Sequence, residues 1–156
     1  MGKVAIIMGS ISDREIMEKA ADILKEMNIS CEMKVLSAHR TPDLLFEYIS
    51  YLDKNDFKVI IAGAGGAAHL AGVIASRTLL PVIGVPIETK ALGGLDSLLS
   101  TVQMPGGIPV ATVGIGNAKN AGLMAAHILA IENSKIREKL KDYREAMAQK
   151  IKEIKI

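Results

Sequence analysis

The sequence predicts a doubly wound α/β domain around a parallel sheet, and three observations lead there. Short apolar runs alternate with longer segments of helical period along most of the chain. Each apolar run ends in a polar or glycine-rich loop, as strands do when they feed crossover helices. The length of 156 residues, 49% of them hydrophobic, is enough for one well-buried core and short for two ordinary domains, so residues 1–156 are expected to form one domain.

Taken in order, the first strand is expected over residues 3–8, an apolar run that stops at Gly9-Ser10. Ser12-x-x-Glu15 has the spacing of a capping box and predicts a helix over 13–27. A second strand follows over 31–36, and Thr41-Pro42, an N-cap residue before the residue favoured at the first helical position, starts a helix over 42–53. The third strand, 59–62, runs into Gly63-Ala64-Gly65-Gly66-Ala67-Ala68-His69 and a helix over 67–78. Strands over 82–86 and 110–113 flank a short helix over 96–102, and a helix over 119–131 completes the alternation. The segment 134–156 leaves this rhythm as a charged helix with an apolar stripe of Ile136, Leu140, Tyr143, Met147, Ile151 and Ile154. Such a stripe serves equally to pack on its own domain or to dock on another subunit.

Composition narrows the function. Nineteen Lys and Arg against 17 Asp and Glu leave a formal charge of +2, too little for a nucleic-acid or anionic-membrane surface. Aromatic residues make up 3% and Trp is absent, so stacking platforms for single strands are scarce. No apolar run has the length of a membrane span, and no secretory signal is read at the start, so a cytoplasmic protein acting on a small molecule is expected. Cys31 is the only cysteine and reads as a small buried residue; the three histidines, His39, His69 and His127, fall on separate elements without metal-ligand spacing. A metal site is not expected.

The order 2-1-3-4-5, flavodoxin-like, places the switch point between the first and third strands, where ligands bind at strand carboxyl ends. Three loops then meet. The first carries Ser10, Ser12 and Asp13, more hydroxyls than one cap requires, with the carboxylate suited to sugar hydroxyls. The second, Ser37-Ala38-His39-Arg40-Thr41-Pro42, sets a group that titrates near neutrality beside a fixed fork of donors for phosphate or carboxylate. Taken separately, His39 is an ordinary turn residue and Arg40 a surface charge beside Asp43; their place after a strand favours function. The third loop fits the loose dinucleotide pattern G-x-G-x-x-A, with Glu88 downstream, although such a pattern normally belongs to the first βα unit. His127, within an apolar helical segment, reads as a satisfied helix histidine. The glycine-rich stretches 93–99 and 103–109 read as turns, with Asp96 capping the short helix.

Several long motifs, in order and covering nearly the whole chain, resemble one family. They are Met8-Gly9-Ser10-x-Ser12-Asp13, Ser37 to Pro42, AGAGGAAHL from Ala62 to Leu70, PVIGVP from Pro81 to Pro86, and DSLLSTVQMPGGIP from Asp96 to Pro109. The chain is similar to the phosphoribosylaminoimidazole carboxylase catalytic subunits of purine biosynthesis, and within them to the N5-carboxyaminoimidazole ribonucleotide mutase branch. The resemblance implies migration of a carboxylate from an exocyclic amine to the ring carbon of an aminoimidazole ribonucleotide, by loss and recapture of carbon dioxide and with no ATP, metal or organic cofactor. It implies His39 as proton shuttle and His69 beside it to orient or polarise the carboxylate. Ser10 and Arg40 would hold the phosphate, Asp13 the ribose hydroxyls, and Ser12 and Ser37 would complete the polar wall. Amides around Ala64, Gly65 and Gly66 would receive the carboxylate or carbon dioxide. The family implies a homo-octamer with sites at subunit boundaries. This chain differs from many bacterial members at Arg14, at Ala71 and in a shorter segment 114–120, where no catalytic role is assigned. Two alternatives stay open at this point: a carboxylase using free carbon dioxide, and a non-catalytic nucleotide- or flavin-binding module.

Overall fold

The computed structural model describes residues 2–154. Strands β1 (Lys3–Met8), β2 (Cys31–Val35), β3 (Phe57–Gly65), β4 (Val82–Ile87) and β5 (Ala111–Thr112) form one parallel sheet in the order β2-β1-β3-β4-β5. Its helices are α1 (Arg14–Glu26), α2 (Pro42–Leu52), α3 (Leu70–Ala75), α4 (Leu95–Val102), α5 (Ala118–Leu129) and α6 (Ser134–Lys152).

The apolar strands have two cores to fill because successive side chains point to opposite faces. Val4, Ile6 and Met8 of β1 join Val59 and Ile61 of β3 under α1 and α5, whereas Ala5 and Ile7 join Ile60 and Ala62 under α2 and α3. At the α1–α5 crossing a Cβ on Gly122 would lie 2.3 Å from Ile23 Cγ2 and 2.9 Å from the Ala20 carbonyl oxygen. Glycine there lets the two backbones meet. Helix α1 ends with Asn28 in the left-handed region (φ 59°), its N–H donating to the Lys25 carbonyl (3.0 Å) while the Ile29 N–H donates to Leu24 (2.8 Å). That paired arrangement satisfies carbonyls the helix end would leave open.

Several local expectations change. A 3-10 turn over Ile11–Asp13 precedes α1, and Ser10, not Ser12, caps it by accepting from the Ser12 N–H (3.3 Å). The capping box does not form; Asp13 is the N-cap of α1 and its side chain makes no cap bond. Strand β3 extends through Gly65, pairing Ala64 with Pro86 and Gly65 with Ile87, so the first glycines of the third loop belong to the sheet. Helix α3 starts at Leu70 instead of 67, because residues 66–68 bond to α4. Strand β5, an edge strand flanked by Pro109 and Gly114, keeps only two residues of the expected four.

The domain covers only part of the stripe on the carboxy-terminal helix. Ile136 and Leu140 are buried against the domain, whereas Met147, Ile151 and Ile154 are exposed. Asn133 caps α6 through the N–H groups of Lys135 and Ile136, and Arg137 bonds the Ala130 and Ile131 carbonyls at the end of α5. The helix expected through Ile156 stops at Lys152; Lys155 and Ile156 lie outside the described residues. Among the described residues no helix is long and apolar enough to cross a membrane.

Candidate active site

The carboxyl ends of β1, β2, β3 and β4 surround a cleft of about 480 Å³. Ser10, Ser12, Asp13, Ser37, His39, Arg40, Ala64 and Gly65 line it, so most of the residues singled out in the sequence meet in one place. Ile87, Glu88 and Thr89 complete the rim.

On the β1 side, Ser12 Oγ donates to Ser10 Oγ (2.9 Å) and lies 3.5 Å from Asp13 Oδ1. Asp13 is 7% exposed, and burial raises its carboxyl above the usual range, partly offset by hydrogen bonds from Ser12 and the Ser10 backbone. Gly9, at the end of β1, supplies the carbonyl that fixes Arg40: Nη2 donates to it at 3.0 Å. This bond crosses from the second loop to the first. Arg40 Nε also donates to Ser37 Oγ (3.4 Å), and the Arg40 N–H does so at 3.1 Å. The guanidinium bonds Gly9 and Ser37 instead of Asp43, and with five donors it keeps others for an anion.

The loop that carries His39 is closed on itself. Thr41 Oγ1 accepts from the Ser37 N–H (3.0 Å) and donates to the Ser37 carbonyl (3.1 Å), so Thr41 occupies the N-cap position of α2 without capping through its side chain. His39 Nε2 then lies 2.9 Å from His69 Nδ1, the two rings edge to face at 83°. One nitrogen donates and the other accepts, so a single proton lies between two imidazoles that are thirty residues apart in sequence.

The third loop differs most from expectation. Gly66 (φ 68°) is not part of the cleft wall, and its N–H donates to Ser97 Oγ (2.9 Å). Its amide is therefore committed, and of the three residues whose amides were expected to receive an anion only Ala64 and Gly65 line the cleft. Nor does the loop have the geometry of a dinucleotide site: Gly63 and Gly65 lie within β3, and the next helix begins only at Leu70.

Sequence reasoning missed the part played by α4. Asp96 does not cap that helix; Gly94 (φ 93°) occupies the N-cap, and Asp96 Oδ1 accepts from Thr89 Oγ1 (2.8 Å). Ser97, Ser100 and Thr101 turn their hydroxyls toward residues 66–68 and 87. The available signal was their spacing, which gathers the polar residues of an otherwise apolar helix on one side.

His127 is far from this chemistry. Arg144 Nη2 donates to its Nε2 (3.0 Å), so Nδ1 carries the ring proton and donates to the Leu123 carbonyl (2.7 Å). It joins α5 to α6, in keeping with a satisfied helix histidine. Cys31 is half-buried at the start of β2, less enclosed than expected, and burial with Asp22 nearby raises its thiol pKa. Among the described residues no group of His, Cys, Asp or Glu is arranged to hold a metal.

The fold is thus a parallel α/β domain whose polar cleft, at the switch point where such sheets bind ligands, brings together an anchored guanidinium and a bonded histidine pair. Residues 3–150 match the family described as AIR carboxylase, and the chain belongs to that family. It is 62% identical over 147 residues to the N5-carboxyaminoimidazole ribonucleotide mutase of Pyrococcus abyssi, covering 94% of this chain and 84% of that protein. The protein of the same name from Thermotoga maritima is 58% identical over 153 residues, 98% and 90% of the two chains, and that of Escherichia coli 51% identical over 153 residues, 97% and 90%. Among solved structures, that of Treponema denticola PurE superposes with a TM-score of 0.91 at 32% identity, covering 98% of this chain and 96% of the other.

Proposed function

We propose that this protein is an isomerase of purine synthesis that converts N5-carboxyaminoimidazole ribonucleotide to 4-carboxy-5-aminoimidazole ribonucleotide. The observation that carries the chemistry is the 2.9 Å bond between His39 and His69 at the edge of a cleft that also holds Arg40. The identity of the substrate rests on relatives bearing the mutase name at 51–62% identity over most of their length.

In this reading the substrate phosphate is held by the remaining donors of Arg40 and by Ser10, with Ser12 and Ser37 completing that wall. Asp13 accepts from the ribose hydroxyls. The carboxylate, and the carbon dioxide released from it, rests against the Ala64–Gly65 end of β3, beside His69. The N–carboxyl bond breaks with its electron pair moving to the exocyclic nitrogen, which takes a proton from His39. The ring carbon then attacks the retained carbon dioxide, and His39 removes the proton from that carbon. Atoms and charge balance without ATP, metal or redox partner, because each proton given is later returned. A bond to His69 Nδ1 fixes the ring that must pass through both protonation states.

The exposed second half of the α6 stripe is read as a subunit contact of a homo-octamer, for which light scattering would give eight times the 16.6 kDa chain mass. A cytoplasmic location accompanies this reading. Supplying the N-carboxylated ribonucleotide, and separately aminoimidazole ribonucleotide with bicarbonate, tests the activity. Faster turnover of the first at equal concentration supports the mutase. Faster turnover of the second makes the protein a carboxylase using free carbon dioxide, and turnover of neither removes the proposal.

A further inference from the structure

Helix α4 is amphipathic in the opposite sense to an ordinary surface helix. Leu95, Leu99 and Val102 are 51%, 46% and 44% exposed, whereas Ser97 and Thr101 are 0% and 2% exposed. Burying hydroxyls is unfavourable unless each finds a partner. Here the partners are backbone groups at two different lips of the cleft.

Ser97 Oγ donates to the Ile87 carbonyl (2.6 Å) and accepts from the Gly66 N–H (2.9 Å), bridging the end of β4 to the turn after β3. One turn on, Ser100 Oγ donates to the Asp96 carbonyl (2.7 Å) and accepts from the Ala68 N–H (3.0 Å). Asp96 holds Thr89, on the opposite lip. None of Asp96, Ser97 and Ser100 lines the cleft. The residues they grip lead directly to His69, whose side chain reaches back to His39.

We propose that Ser97 and Ser100 are positioning residues for His69, keeping it against His39 and keeping the Ala64–Gly65 floor closed while carbon dioxide is free in the site. The inference rests on the reaction proposed above. The turn 66–68 begins at a positive-φ glycine and carries two short local bonds, Ala68 N–H to the Gly66 carbonyl (2.8 Å) and His69 N–H to that of Ala67 (2.9 Å); the buried Ser97 and half-buried Ser100 hydroxyls tie it to α4, as a strand partner would. The phosphate and ribose contacts sit on the other two loops, which these serines do not touch. Loss of either hydroxyl therefore acts on the histidine pair and on gas retention, not on capture of the ribonucleotide.

The test compares Ser97→Ala, Ser100→Ala and Ser100→Thr with the parent, each checked by circular dichroism and assayed well below its melting temperature. The alanine variants are expected to lose kcat by on the order of ten- to a hundredfold, the scale of a displaced reacting group, with KM changed by no more than about twofold. They also release a larger share of aminoimidazole ribonucleotide per product formed. Ser100→Thr restores both readouts, because it keeps the hydroxyl. Should Ser97→Ala fail to fold, the Ser100 pair carries the comparison. Alanine variants with parental kcat and partition, a rise in KM alone, or no rescue by threonine would overturn the positioning role while leaving the reaction intact. A parent that turns over neither ribonucleotide removes the reaction, and the positioning role with it.

Discussion

Replacing His39 by Asn removes the proton carrier while keeping a polar side chain of similar reach, and the structure separates its effect on rate from its effect on folding. Both imidazoles of the pair are exposed in the protomer, so the 2.9 Å bond they share contributes no more than about 1 kcal/mol to stability. That predicts a melting temperature within about 4 °C of the parent for a domain of this size. The catalytic term is larger: one general acid–base group contributes about a hundred- to ten-thousandfold, or about 3–5 kcal/mol of barrier. KM should change little, because Arg40 is held by Gly9 and Ser37 and not by His39. The assay is steady-state conversion of the N-carboxylated ribonucleotide, with thermal melts on the same preparations. A cycle with His69→Asn sharpens it: residues acting as one unit are non-additive, so the double variant should be only slightly slower than His39→Asn. Turnover by His39→Asn within about tenfold of the parent would refute the shuttle, since general acid–base catalysis by this group would then be absent.

Three further outcomes follow from particular contacts. Arg40→Met should raise KM for the ribonucleotide about ten- to a hundredfold through lost charge-assisted bonds, and Lys should rescue poorly because it lacks the guanidinium fork; both are read from initial rates against substrate concentration. Asp13→Asn should weaken ribonucleotide binding in calorimetry yet raise the melting temperature at neutral pH. Burial lifts the folded Asp13 pKa, so its contribution is fully present below the ordinary value of 3.8 and lost as pH rises through the raised one; the advantage of Asn should shrink toward zero in acid. Gly122→Ala should destabilise by about 1–2 kcal/mol in urea melts, because overpacking against Ile23 and the Ala20 backbone outweighs the gain of about 1 kcal/mol in helix propensity.

The sheet was legible because burial on both faces leaves a mark on composition. Val4-Ala5-Ile6-Ile7-Met8 is apolar at every position, which a strand covered by helices on two sides requires. The loops carrying Ser10, Asp13, His39, Arg40 and His69 were legible for a related reason: polar residues directly after such runs fall at strand carboxyl ends, and the order of strands then brings them together. The family motifs strengthened that reading, since they span most of the chain.

What the sequence determined by itself was thus the layering of the fold, the loops that meet, and the chemical groups they bring. Only the tertiary structure decided which of those groups are free to act. Ser12 and Glu15 have capping-box spacing, yet Ser12 bonds to Ser10; Gly66 offers an amide of the expected kind, yet Ser97, distant in the chain, occupies it. The apolar stripe of α6 is continuous in sequence, but the domain buries it at Ile136 and Leu140, half-covers Tyr143 and leaves Met147 onward exposed. Periodicity records the average environment of a segment, whereas each hydrogen bond goes to whichever partner the packed chain brings within about 3 Å, and that choice depends on residues far apart in sequence.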